Sequence, residues 1–176
     1  AGNTVGALMT IAAAELKAHG HTAAGDAMYD RAVAWYEQGG TDVSAPVHQT
    51  WHTLALMGAD RWDEALALCD RHLAAQPDYT WYHGAAAMAA ARAGDTERME
   101  EERSWYETQA PTRPPTFLPA NMAYFAAAER RTEEAVALMQ QAMDLGTAFS
   151  MWWHRDPVLE ELQDHPAWKE FLRPKG

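Results

Sequence analysis

An eight-residue stretch that returns 70 positions further on constrains this chain more than any other feature. Ala59-Asp60-Arg61-Trp62-Asp63-Glu64-Ala65-Leu66 comes back as Glu129-Arg130-Arg131-Thr132-Glu133-Glu134-Ala135-Val136. A weaker copy, Ala93-Gly94-Asp95-Thr96-Glu97-Arg98-Met99-Glu100, divides the interval into 34 and 36 residues. A further copy, His19-Gly20-His21-Thr22-Ala23-Ala24-Gly25-Asp26, lies 40 residues before the one at Ala59. Self-similarity at a period of about 20 to 50 residues marks an array of stacked units, each too small to bury its own apolar side.

Apolar periodicity turns those copies into helix pairs. Leu8, Met9, Ile11, Ala12 and Leu16 recur at helical spacing over 3–19, and Met28, Tyr29, Ala32, Val33 and Tyr36 do so over 22–38. Further pairs are predicted at 46–57 with 61–75, 79–93 with 96–109, and 118–129 with 132–145. Gly20, Gly39-Gly40, Gln76-Pro77 and Gly146 supply the stops. The stretch from Gly39 to Pro46 reads as a long loop that accounts for the wide first spacing, and Ala110-Pro111-Thr112-Arg113-Pro114-Pro115 reads as a stiff connector. Ala13, Thr53, Ala87 and Ala123 fall at one point of each first helix, where a small side chain lets helix axes approach to about 8–10 Å. Ala65 and Ala135 play that part on second helices, with Gly25 permissive and Met99 a departure. The helix 96–109 is the least regular, and its Glu100-Glu101-Glu102-Arg103 reads as a solvated face.

On these residues the chain resembles the tetratricopeptide repeat family, whose unit is a helix-turn-helix of about 34 residues. The resemblance implies an all-α fold, a right-handed α-solenoid of about four repeats closed by a C-terminal helical cap. The whole chain, 1–176, is then a single domain with repeats at 3–38, 46–77, 79–109 and 116–146 and a cap over 147–173. Within the cap, Asp156 is placed to cap a helix opened by Pro157, and His165-Pro166 to start another. The ending HRDPVLEELQDHPAWKEFLRPKG resembles that of repeat regions at the carboxyl end of bacterial multidomain signalling proteins, among them CadC-like regulators, kinases with repeat tails and TolB-like proteins. That likeness implies a native C-terminus and an N-terminal effector domain outside this sequence, in keeping with a start at Ala1.

Charge excludes some partners. The chain has 14 Lys plus Arg against 25 Asp plus Glu, a net charge of −11, and no basic run. Nucleic acid and acidic lipid surfaces are therefore not expected as partners. No apolar run reaches the ~20 residues of a membrane span, and with no charged n-region followed by an apolar core no remaining signal peptide is expected. A cytoplasmic location is expected, with an extracytoplasmic one left open. The single Cys69 allows no internal disulfide and reads as a buried structural thiol.

The sharpest chemical motif is His48-Gln49-Thr50-Trp51-His52, two histidines at i and i+4 on a helix. It departs from the zinc-hydrolase pattern because Gln49 stands where a general base is needed, and glutamine accepts no proton. A third ligand could be named only as Glu64 or His83. Inert helix histidines are the preferred reading, with a metal-dependent hydrolase the minor alternative, so no catalytic residue, metal or cofactor is expected. His19 and His21 read as a solvated pair, and His154 as bonded to backbone or a carboxylate. Glu100-Glu101-Glu102, Glu133-Glu134 and Glu160-Glu161 read as solvated faces, since adjacent helical residues do not face each other.

What remains is a surface. In such a solenoid the first helices line a concave groove. The helical period projects into it Lys17, then Trp51, Leu54 and Met57, then Trp81, Met88 and Arg92, then Phe117, Asn121 and Tyr124. Aromatics and Arg dominate interface energetics, and Met adapts to irregular apolar partners. The carboxylate clamp of chaperone adaptors is absent, its positions being Thr10, Ala14, Thr50, Leu54, Gly84 and Met88. The expected function is a non-catalytic protein–protein interaction module that binds a peptide or neighbouring domain in this groove. The competing expectation is a structural or regulatory tail that packs on its own effector domain or self-associates.

Overall fold

The computed structural model describes residues 5–39 and 46–173, apart from the side chains of Pro46, Val47, His48, Met151 and Glu161. The expected loop between Gly39 and Pro46 and the helix start at Asn3 lie outside the described residues. The fold is all-helical, with no strand among the described residues. Its elements are α1 (Val5–Ala18), α2 (Thr22–Glu37), α3 (Pro46–Gly58), α4 (Trp62–Ala75), α5 (Thr80–Ala93), α6 (Thr96–Gln109), α7 (Phe117–Ala128), α8 (Thr132–Asp144) and α9 (Pro166–Leu172). Short 3-10 turns occupy Ala110–Thr112, Met151–His154 and Pro157–Leu162. Helix ends fall within two residues of the expected ones, the usual fraying margin.

Each odd-numbered helix up to α7 packs on the even-numbered helix that follows, and α1 also packs on α3, α4 on α5, and α5 on α7. The turns inside the four pairs are alike. Gly20, Asp60, Gly94 and Arg130 all take positive φ, at 82°, 60°, 81° and 61°. In each, the next residue's N–H donates to the carbonyl five residues back: His21 to Leu16, Arg61 to Leu56, Asp95 to Ala90 and Arg131 to Ala126. This closure satisfies carbonyls that a helix end leaves orphaned. The recurring octet is therefore a recurring left-handed turn, which Asp60 and Arg130 adopt despite carrying a Cβ.

Small residues sit where the helices cross. Ala13, Thr53, Ala87 and Ala123 are all fully buried, as is Ala65, while Ala135 and Met99 are nearly so. Gly25 is not merely permissive. A Cβ there would lie 2.4 Å from the Lys17 side chain and 2.9 Å from the Ala13 carbonyl, so α1 and α2 approach through a gap that only glycine leaves. α5 has buried residues all round, among them Tyr82, Ala85, Ala86, Ala87, Ala89 and Ala90, as a helix enclosed by neighbours should.

One acidic residue departs from the solvated reading. Glu102 is 1% exposed, and its carboxylate lies 2.6 Å from His83 Nδ1 and 2.7 Å from the Arg98 guanidinium. His83 Nε2 meets the Pro77 carbonyl at 2.6 Å, and its ring stacks on Trp105 with centroids 3.7 Å apart. Glu102 stands three residues after Met99 and four before Tyr106, both buried, so it shares their inward face.

After α8 the chain first reaches back toward α3 and α1 and then returns to pack on the last helix pair. α9 packs on α8, and Trp168, fully buried, joins Trp153, Leu159, Leu162, Ala135 and Met139 in one apolar cluster. Asp156 Oδ1 accepts the Val158 N–H at 3.0 Å, and His165 Nδ1 accepts the Ala167 N–H at 3.3 Å, the two expected caps. The 3-10 turn Pro157–Leu162 also contacts α7 and α3, so the segment extends well beyond the last pair.

Candidate functional site

The side on which α3, α5 and α7 present Trp51, Leu54, Trp81, Met88 and Tyr124 carries the candidate site. These five, with the buried Met57, belong to one continuous apolar cluster, and that cluster includes Val158 of the C-terminal segment. The face is thus already in contact with a stretch of the chain's own backbone. Trp152 sets the edge of its ring against Trp51, centroids 5.9 Å apart at 78°. Such edge-to-face pairs contribute about 0.5–1.5 kcal/mol beyond the area they bury.

Asp156 lies at the centre of this contact. It is 6% exposed and accepts from the Val158 N–H, the Trp152 side chain and the Tyr124 hydroxyl. Burial, which disfavours the charged form, raises its pKa to about 6 although those donors pull the other way. The Tyr124 phenol is pushed well above its ordinary value, first by burial and then by the Asp156 charge. Tyr124 is therefore a hydrogen-bonding member of the contact as well as an apolar one.

At the edge nearest α1 the contact becomes ionic. Lys17 Nζ lies 2.9 Å from Glu160 and 3.0 Å from Asp26. Burial acts to lower the Lys17 pKa, but its two carboxylate partners outweigh this and the net shift is upward. Glu15 receives Arg155 and stands 3.4 Å from His154 Nε2, and the Arg155 guanidinium lies over the Trp152 ring at 4.8 Å. Beside these pairs is an open cavity of about 850 Å³. Its walls are the C-terminal ends of α1 and α3, the start of α2, Trp62 and Arg92 on one side, and His154 to Asp164 on the other.

Three of the projected groove residues turn elsewhere. Arg92 lies over the Trp62 ring at 5.6 Å and lines the cavity. Phe117 stacks on Tyr106 of α6, centroids 5.2 Å apart, with Arg113 over its ring. Asn121 donates to the Phe117 carbonyl of its own helix at 2.6 Å. Phe117 and Asn121 belong to the first turn and a half of α7, beside α6, whereas Tyr124 stands on the side that meets the C-terminal segment.

The histidine motif is described only in part. The His48 side chain lies outside the described residues, and the His52 ring stacks on Tyr36 with centroids 4.9 Å apart. Burial lowers the His52 pKa. Of the two possible third ligands, Glu64 holds Arg61 at 2.6 Å and His83 holds Glu102. Among the described residues no three His, Cys, Asp or Glu side chains cluster closely enough to hold an ion. Cys69 is buried, and burial pushes its thiol pKa up, away from reactivity. No helix among the described residues is long and apolar enough to cross a membrane.

Sequence reasoning missed Glu15 and Asp156 as members of the site. Asp156 carried the signal of an Asp-Pro cap but none of its burial. Glu15 carried no signal, because its partners lie 139 and 140 residues away. Comparison of the chain with protein-family models, with curated proteins and with solved structures gives no match.

Proposed function

We propose that this chain is a non-catalytic interaction module of the tetratricopeptide kind, a right-handed solenoid of four helix-turn-helix repeats whose concave side, formed by α1, α3, α5 and α7, binds a peptide segment of a partner protein. The single observation that supports this reading is that the aromatic and methionine-rich face already clasps a stretch of 3-10 turns through an indole, a buried carboxylate and a valine. A surface that holds such a stretch in cis has the shape and donor set to hold one in trans. The repeated left-handed turns and the buried small residues at equivalent points support the repeat assignment.

The test is selection of binders from a random peptide library on the whole chain, followed by substitution of the wall. Trp81→Ala is expected to weaken selected peptides by about 2 kcal/mol while helicity and cooperative melting persist. Enriched peptides that are indifferent to Trp81→Ala and to Trp51→Ala would place binding off this face, and no enrichment at all would contradict the reading.

A second reading is favoured by α1, where Val5 and Leu8 are 50% and 54% exposed one turn apart. That pair suits packing against an upstream domain or a second copy, the structural-tail alternative. Sedimentation separates the two, since self-association abolished by Leu8→Glu supports α1 as a contact surface, and a monomer at all concentrations counts against self-association.

A further inference from the structure

The C-terminal segment is held on its two sides by different physics. Trp153, Leu159 and Leu162 are buried with Trp168 against α7 and α8, a dry apolar hold. The reach toward α1 and α3 combines apolar contacts, Trp152 against Trp51 and the α1–α2 core, and Val158 in the neighbouring cluster, with ion pairs of Arg155 and His154 at Glu15 and of Glu160 at Lys17. Ion pairs near the surface hold weakly and are screened by salt. Two further observations set this side apart. The segment consists of 3-10 turns, whose hydrogen bonds are poorer than those of an α-helix. An open cavity of about 850 Å³ lies between it and the ends of α1 and α3, so solvent reaches the second side.

We infer that the contacts of Trp152, Arg155 and Glu160 with α1 and α3 form a clasp that opens about its fixed side on α7 and α8, and that the partner admitted is a short peptide segment presenting an aromatic side chain with a cationic and an acidic residue close behind it. The chemistry of the occupant follows from what the opened face would leave unpaired. Trp51 calls for a ring, Glu15, left with only His19 at 3.6 Å, for a cation, and Lys17, left with Asp26 at 3.0 Å, for a second carboxylate, in the order the chain itself supplies them at Trp152, Arg155 and Glu160. The inference rests on the reading of this face as a peptide-binding surface, and it adds that the face is guarded in the resting protein.

The experiment uses the full chain and, as probe, a labelled synthetic peptide with the sequence of residues 150–161. In the variant Arg155→Glu with Glu160→Lys both clasp charges are reversed, so the cis segment is repelled by Glu15 and Lys17 whereas the unaltered peptide still complements them. Fluorescence anisotropy should show the variant binding the peptide at least about tenfold more tightly than the wild type, because cis occupation divides the apparent affinity by the open fraction. A variant that melts cooperatively yet gains nothing would overturn the clasp. Dimerisation of the variant without peptide binding would overturn the assigned partner in favour of a second copy. Hydrogen exchange on the wild-type chain provides a readout that needs no variant. The Arg155 amide should exchange at least about tenfold faster than α8 amides if the clasp opens locally, and equal rates would overturn it. Library peptides that bind the wall while the clasp variant gains nothing would leave the binding face standing and remove only the clasp. Fast exchange at the clasp with no peptide bound by either protein would instead remove the binding face, and the proposed partner with it.

Discussion

Asp156 carries a pH dependence whose sign follows from its burial. Its pKa is about 6 in the fold against 3.8 for an ordinary aspartate. Between those values the native state holds a proton that the unfolded chain has released, so this residue's contribution to stability falls as pH rises from about 4 to about 6. Relative to Asp156→Asn, the wild type should therefore lose up to about 2 kcal/mol across that window, measured as unfolding free energy by urea titration at each pH. A difference that is flat with pH would mean that the carboxylate is not buried as described. The Glu102 pair makes a different prediction. Glu102→Ala leaves His83 and Arg98 around an empty acceptor site and should cost about 3 kcal/mol. Replacing His83 and Glu102 together by apolar residues should cost less than that single change, a non-additivity that a double-mutant cycle in urea would show. Backbone conformation gives a stabilising change. Arg130 stands at φ 61°, so Arg130→Gly should raise stability by about 0.5 kcal/mol, the relief of left-handed strain less the extra entropy of glycine. A lower melting temperature for Arg130→Gly would show that the Arg130 side chain outweighs its backbone strain.

Among the helices, what the sequence made legible was whatever close packing imposes on residue type. Ala13, Thr53, Ala87 and Ala123 could be placed because a helix crossing tolerates little else, and they are fully buried. Glu102 could not be placed, because the charged run around it matches a solvated face and its partner lies on another helix, 19 residues upstream. The path of residues 151–162 was equally hidden. A 3-10 stretch has no amphipathic period to read, and its course depends on Glu15, Lys17 and Trp51, which neighbour it only in the folded chain. Of the projected groove, Trp51, Leu54, Met57, Trp81, Met88 and Tyr124 come together, since helical phase alone decides their side. Phe117, Asn121 and Arg92 do not, because Tyr106, the α7 backbone and Trp62 compete for them. The terminal helix can be tested as a unit through Trp168, which is 0% exposed. Trp168→Ala should cost about 3–5 kcal/mol by opening a cavity in the cap, and a change under about 1 kcal/mol would show that α9 contributes little to the fold.

For the molecule as a whole, a net charge of −11 and an apolar face partly covered by its own segment are what the proposed guarded binding face requires. The apolar core runs continuously from α2 through α5 to Val158, so the proposed binding at the face would draw on the same side chains that seat the C-terminal segment. The measurement that bears most directly on this is photo-crosslinking of a library-selected peptide to the whole chain, with the modified residues found by mass spectrometry. Crosslinks should fall on Trp51, Trp81 and Met88, and the Arg155 amide should lose protection in the complex. Crosslinks confined to α2, α4, α6 or α8, with protection of the C-terminal segment unchanged, would contradict both the face and its guard.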